Sequence, residues 1–292
     1  MAGAVGILAS EVDLAIKIVA DSTCDLTPDM AQDLGVTIVP LHVIFGDASY
    51  RDGIDITAEE FYEMLVKSRQ LPTTSAPSVG DFQEVYTRLL DEGHSVVSIH
   101  LSGKLSATVR MAQAAADSLK QPGRIAVVDS QSVSLGTGFA IMEAAAAARA
   151  GASLEEARAA AESIPRRLYI LFMVDTLEYL RRGGRIGRAR AYLGTILKIK
   201  PILSIREGEL FPVERVRTRS QGVERIIQAA VRHQNVKMAA VAHSTTPDEA
   251  ELIRGRLAVA FPHAQLFAAR FTPVLGTHGG PGVVGIGVVE GH

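Results

Sequence analysis

Three hydroxyls, a glycine and a lysine fall within Ser102-Gly103-Lys104-Leu105-Ser106-Ala107-Thr108. Upstream, Ser95-Val96-Val97-Ser98-Ile99-His100 reads as a strand. Downstream, the run from Val109 to Ala116 is rich in strong helix formers. At such a turn the first N–H groups of the helix have no partner within it, and the helix dipole makes the place mildly positive. A phosphate or a carboxylate suits it. Helix capping by Ser106 or Thr108 would explain an isolated turn equally well. Recurrence adds weight: residues 16–20 run into Asp21-Ser22-Thr23-Cys24-Asp25-Leu26, and residues 124–128 run into Asp129-Ser130-Gln131-Ser132-Val133-Ser134. In an open parallel sheet ligands bind beyond the carboxyl ends of the strands. Three hydroxyl-rich strand exits therefore point to one crevice that binds an anionic group.

Two further groupings bear on that crevice. Thr73-Thr74-Ser75-Ala76-Pro77-Ser78 reads as a rigid turn between helices, because Pro77 keeps Ala76 extended. Capping by Ser78 explains Ser78 and Pro77 but leaves Thr73, Thr74 and Ser75 without a role. Gly276-Thr277-His278-Gly279-Gly280-Pro281-Gly282 puts one histidine in a tight backbone with little side-chain bulk, which lets a ligand approach closely. The other histidines read as ordinary surface or core residues, with His243 intermediate because it ends a strand. Catalytic machinery is not evident: the chain has no Gly-x-x-x-x-Gly-Lys-Ser/Thr phosphate loop and no paired His/Glu metal motif. Cys24 has no activating neighbour in sequence and reads as a turn residue.

The chain has 292 residues, of which 47% are hydrophobic, enough for substantial cores and far from the disordered class. Its formal net charge of −2 offers no general field for nucleic acid or anionic membrane. One cysteine excludes an intrachain disulfide and fits a reducing cytoplasm. No run approaches the ~20 apolar residues that span a bilayer. Residues 1–15 lack the basic start of a signal peptide and read as an N-terminal extension.

Two domains are expected from this length. Residues 16–165 alternate strands with helices opened by capping boxes at Thr57/Glu60, Ser78/Asp81 and Ser153/Glu156. That pattern predicts a three-layer α/β/α domain on a parallel sheet, with residues 36–44 as one extended run and a helix over 139–149. From residue 166 to 292 the pattern changes. A strand over 169–174 is followed by Asp175 as a helix cap, a helix ending at Gly183-Gly184, and another over 186–197. Glu207-Gly208 marks a hairpin, and helices and strands then alternate to a glycine-punctuated strand over 282–289. A hairpin among βα units predicts a two-layer α/β domain with a mixed sheet, with Pro165 as the boundary.

The chain resembles the DegV family, which includes the fatty-acid-binding subunit of bacterial fatty-acid kinase. The resemblance rests on an ordered set that spans residues 17–290: the Asp21–Leu26 and Thr74–Ser78 stretches, Ser102–Thr108, Asp129-Ser130, Leu177–Ile186, Lys200-Pro201-Ile202 and the His278 segment. It departs where glutamine is usual at Ala76, glycine at Ala107 and serine at Gly103. The resemblance implies a two-domain α/β fold enclosing an acyl chain between the domains. It also implies a long-chain fatty acid such as palmitate as ligand, no cofactor or metal, and a carboxylate held by Thr74, Ser75, Ser102 and Ser106, with His278 near the head group. A separate ATP-binding kinase subunit would phosphorylate the bound acid. Two other readings stay open. One is an enzyme acting on a dihydroxyacetone-like compound through His278, and the other is a regulatory protein without turnover. Arg181, Arg182, Arg185, Arg188 and Arg190 form a basic cluster, expected to dock the partner rather than hold the lipid.

Overall fold

A computed structural model describes residues 15–68, 70–193 and 199–291. All but the last residue of the extension expected over 1–15, and the last part of the helix expected over 186–197, lie outside them. The first half contains β1 (Ile16–Asp21), α1 (Pro28–Leu34), β2 (Val36–Val39), β3 (His42–Phe45), β4 (Ala48–Arg51), α2 (Ala58–Lys67) and β5 (Thr73–Ser75). After these come α3 (Val79–Asp91), β6 (Ser95–His100), α4 (Thr108–Ser118), β7 (Ile125–Asp129), α5 (Leu135–Arg149) and α6 (Leu154–Arg167). The second half contains β8 (Leu168–Met173), α7 (Glu178–Arg182), β9 (Lys200–Arg206), β10 (Glu209–Val216) and α8 (Arg219–Ala230). It continues through β11 (Val236–His243), α9 (Pro247–Ala260), β12 (Gln265–Arg270), α10 (Pro273–Gly279) and β13 (Val284–Glu290).

Strands β2-β1-β6-β7 form a parallel sheet. Strands β10-β9-β8-β13-β11-β12 form a mixed sheet in which only β11 and β12 run parallel among the described pairs. A core that includes Val19, Phe82, Tyr86, Val96 and Ala112 joins α3 and α4 to one face of the parallel sheet. Another, with Met173, Ile226, Val241, Ile253 and Val288, joins α8 and α9 to the outer face of the mixed sheet. The largest core lies between the two sheets and is built on α5, whose residues from Leu135 to Ala145 are all buried. This helix is buried all round because both sheets press on it, which its nearly unbroken apolar and alanine sequence permits. The three-layer and two-layer arrangement is thus as expected, with α5 and α6 between the sheets.

Local expectations fare unevenly. All three capping boxes form, each with both reciprocal hydrogen bonds. The single extended run over 36–44 breaks at Pro40, which has no N–H to give to a ladder. Its second part, β3, joins a separate small sheet of order β4-β3-β5. Residues 73–75 are therefore a strand rather than a turn. The helix expected from 139 begins at Leu135, so Gly136 and Gly138 lie inside it. Gly138 is needed there because a Cβ would lie 2.8 Å from the Cys24 carbonyl oxygen. The expected helix from 186 appears as a 3-10 turn, Gly187–Tyr192. Asp175 does not cap α7: its carboxylate pairs with Lys200 and Arg219. α6 runs through Pro165 to Arg167, and β8 follows directly.

Candidate functional site

A cavity of about 190 Å³ opens between the halves, walled on one side by Leu41, Leu101 and Leu135 and on the other by Ile170, Phe172 and Ile205. Its walls are mostly apolar. Its polar lining comes from Thr74, Ser106, Ser134, Arg185 and His278. Thr74 and His278 arrive from distant elements: β5 pairs with β3 through Val43↔Thr74, and α10 packs on α2 and β3. Thr74 Oγ1 and His278 Nε2 lie 2.9 Å apart. His278 stands in the last turn of α10 rather than in a loop: Pro273 suits the first helical position after Thr272, and the helix runs on through Gly279. A Cβ on Gly183 would collide with His278 Nδ1, so the glycine is what lets the α7 end close over the ring. That Nδ1 is buried without a hydrogen-bond partner.

Burial, and then the charge of Arg185, push the His278 imidazole down to about 4. The ring is therefore neutral at pH 7, one nitrogen a donor and the other an acceptor. With the proton on Nε2 it donates to Thr74 Oγ1, which leaves the threonine hydroxyl proton free for an anion in the cavity. Ser106 Oγ lies 2.9 Å from Thr108 Oγ1, which orients it at the start of α4. Among the described lining residues Arg185 is the one charged side chain. Its guanidinium is steered by Nε donating to Leu105 O (3.1 Å) and Nη1 to Gly183 O (2.7 Å).

The expected head-group residues divide accordingly. Thr74, Ser106 and His278 line the cavity. Ser75 does not, since strand alternation turns it outward to solvent while Thr74 points inward. Ser102 does not either: it is fully buried and its Oγ donates to Gly208 O (2.8 Å), tying the first half to the β9–β10 hairpin. Arg185 belongs to the cavity wall, which corrects its place in the expected docking cluster. The rest of that cluster is exposed, with Arg181 and Arg182 both paired to Glu178 and Arg188 to Glu209. Cys24 is buried, and burial pushes its thiol up, with Asp21 and Asp25 adding to the effect, so it is unsuited to nucleophilic work. His243 is part-buried, its Nδ1 accepts from Thr246 N (3.3 Å), and burial lowers its pKa.

Sequence reasoning missed the polar cluster beneath the cavity. Asp25 and Asp52 are both buried, 3% and 2% exposed. Ser134, a lining residue, donates to Asp25, as does Thr272 N (3.2 Å), so this carboxyl ties α5 to the start of α10. Ser22 Oγ donates to Asp52 Oδ2 (2.8 Å) and accepts from Leu41 N (3.1 Å). Asp52 Oδ1, Tyr62 Oη and Thr272 Oγ1 are buried without a well-formed hydrogen bond. Burial raises the Asp25 carboxyl well above the usual range and pushes Asp52 up to about 7. Asp21 behaves oppositely. Burial would raise it too, but the His100 ring, the Thr23 hydroxyl and Leu101 N–H hold it below its ordinary value. No spacing links Asp25 to Asp52; only the hydroxyl-rich exit after β1 hinted at the cluster.

Among the described residues no group of three or more His, Cys, Asp or Glu is placed to hold a metal ion. None of the described helices is long and apolar enough to cross a membrane. The fold and the site thus define a two-part α/β protein with an apolar cavity whose polar lining is mainly hydroxyls and a neutral imidazole. The chain belongs to the DegV family: the family described as "Uncharacterised protein, DegV family" matches residues 15–291. A DegV domain-containing protein of Halalkalibacterium halodurans is 37% identical over 276 residues, 93% of this chain and 97% of its own. The structure resembles that of a fatty-acid-binding DegV family protein from Thermus thermophilus (TM-score 0.88, 38% identity, 94% of this chain and 99% of the other). It also resembles a stearic-acid-binding protein from Eubacterium ventriosum (TM-score 0.86, 27% identity, 94% and 98%).

Proposed function

We propose that this protein binds one long-chain fatty acid, such as palmitate, in the cavity between its halves. It then presents the carboxylate to a separate ATP-binding kinase subunit for acyl-phosphate formation. The observation that carries the reading is the Thr74–His278 pair in a cavity that is otherwise largely apolar. A carboxylate accepts from the Thr74 and Ser106 hydroxyls, with Arg185 supplying the opposite charge. The tail gains about 0.8 kcal/mol for each methylene that leaves water for the apolar walls. A small polar ketone would leave those walls without an apolar occupant, which weighs against a dihydroxyacetone-type substrate. The chain itself carries no phosphate loop, so ATP turnover belongs to the partner. The exposed Arg181, Arg182 and Arg188 lie near the Arg185 end of the cavity in sequence, a reasonable place for an acidic partner surface or nucleotide phosphates to approach. A single buried cysteine suits work in the cytoplasm.

Organic extraction of the purified protein followed by mass spectrometry tests the ligand. A long-chain fatty acid at about one per chain is expected. A small polar adduct, or a delipidated protein that does not rebind palmitate, would overturn the reading. Sustained ATP hydrolysis by the isolated chain would overturn the division of labour.

A further inference from the structure

In the mixed sheet, β8 and β9 separate. Their ladder holds at Met173↔Ile202 and Phe172↔Leu203 and stops there, although β9 continues to Arg206 against β10 and β8 continues back to Leu168 against β13. Continued in register, the next partners would be Leu171 with Ser204 and Ile170 with Ile205. Instead the Ser204 hydroxyl spans the gap, its Oγ donating to Ile170 O at 2.8 Å. A second cavity, about 280 Å³, occupies this opening, between β8, β9, Val213 of β10 and the Gln131-Ser132 turn after β7. Ile170 and Ile205, the pair that the open ladder leaves apart, line both this cavity and the one between the halves. The two spaces therefore share a wall at the place where the sheet has parted.

The chemistry of this second space differs from that of the first. Ser132 lines it, is 1% exposed, and its Oγ has no hydrogen-bond partner. A buried hydroxyl without a partner costs free energy unless a ligand or water group satisfies it. Arg206 and Glu207, at the solvent end of β9, are exposed. The path thus runs from apolar side chains, past a hydroxyl in want of a partner, to charged groups in water.

We propose that the gap between β8 and β9 is a second opening of the acyl cavity, one that admits the ω end of a chain and accepts a hydroxyl there, with Ser132 as its hydrogen-bond partner. The ligand class is a long-chain fatty acid hydroxylated at its ω end. This rests on the fatty-acid reading above, since a tail must occupy the first cavity to reach the second.

The test compares palmitate with ω-hydroxypalmitate by calorimetric titration of the delipidated full chain, wild type and two variants. A sealed apolar end would bury the ω hydroxyl unpaired and weaken it by about 10- to 100-fold relative to palmitate. An open slot keeps the two acids within about threefold, since the hydroxyl then meets Ser132 and makes good its hydrogen bonds. Val213→Trp fills the slot from its exposed side and should restore a penalty of about 10-fold or more against the hydroxy acid. In that variant, palmitate binding shows that the chain is folded. Ser132→Ala should weaken the hydroxy acid alone, by roughly fivefold. Palmitate binding with strong rejection of ω-hydroxypalmitate by the wild type overturns the slot and spares the fatty-acid reading. An unchanged ratio in Val213→Trp overturns it as well. Failure of both acids to bind the wild type overturns both readings together.

Discussion

Replacing Asp52 by asparagine should make the protein more stable at neutral and alkaline pH, and by an amount that grows with pH. Asp52 is buried, its Oδ2 accepts one hydrogen bond from Ser22, and its Oδ1 is left without a well-formed partner. Burial raises its carboxyl from an ordinary 3.8 to about 7 in the fold. A raised acid pKa means that the folded state holds the proton more tightly than the unfolded chain. Its contribution is therefore fully present below about pH 4 and is lost as pH rises toward 7. The difference of about three units corresponds to about 4 kcal/mol over that whole interval, of which about 3 kcal/mol falls between pH 5 and pH 8. Asparagine keeps an acceptor for Ser22 and carries no charge at any of these pH values. Its amide also supplies a donor to the buried Thr272 Oγ1 or Tyr62 Oη, neither of which has a well-formed hydrogen bond. Thermal unfolding of both proteins at unit pH intervals from 5 to 8 reads the effect directly. At roughly 2–4 °C per kcal/mol for a chain of this size, the gap between variant and wild type should widen by roughly 6–12 °C. Parallel curves over that range would refute the reasoning, because they would mean that the fold tolerates a charged Asp52 without cost.

Thr74→Val and Ser106→Ala should each weaken palmitate binding by about 1–3 kcal/mol in calorimetry, the cost of leaving a desolvated carboxylate short of a donor. Ser75→Ala should leave affinity unchanged because that hydroxyl faces solvent. Ser102→Ala should instead lower the unfolding midpoint, since it leaves the Gly208 carbonyl without its donor. The His278 C2 proton resonance should stay flat from pH 8 down to about 5 and then move. A lowered base pKa means that this residue's share of stability is present above about 6.5 and is lost as pH falls toward 4. Arg185→Gln should weaken palmitate binding about 10-fold, with the loss growing at low ionic strength, whereas Arg188→Glu should leave it intact.

Much of the scaffold was legible because local chemistry and tertiary structure agree there. The exits after β1, β6 and β7 carry hydroxyls, and all three strands do end at the same, carboxyl end of one parallel sheet. Capping boxes were equally readable, since each is complete within four residues. The site was harder. Thr74 and Ser75 are chemically alike and adjacent, and only the pairing of β5 with β3 decides which of them faces inward. Ser102 looks like an anion ligand in sequence, yet a carbonyl from a hairpin 106 residues away takes up its hydroxyl. Arg185 sits in a run of arginines that reads as a solvated surface, and its inward turn depends on the Leu105 carbonyl contributed by the other half. Asp25 and Asp52 escaped notice because their environment, and not their spacing, makes them unusual.

One topological detail bears on when this protein can first take up its ligand. β13 comes last among the strands in chain order, yet it lies in the interior of the mixed sheet, between β8 and β11. Until it inserts, β8 and β11 have no common neighbour, and the wall that carries Ile170, Phe172, Ala242 and Gly285 does not exist. During synthesis the parallel sheet can assemble early from its own local βα units, since domains form as their chain emerges. The cavity between the halves cannot. Its completion waits for the arrival of β13. On the proposed fatty-acid reading, a nascent chain therefore has no complete site for the lipid, and loading follows synthesis.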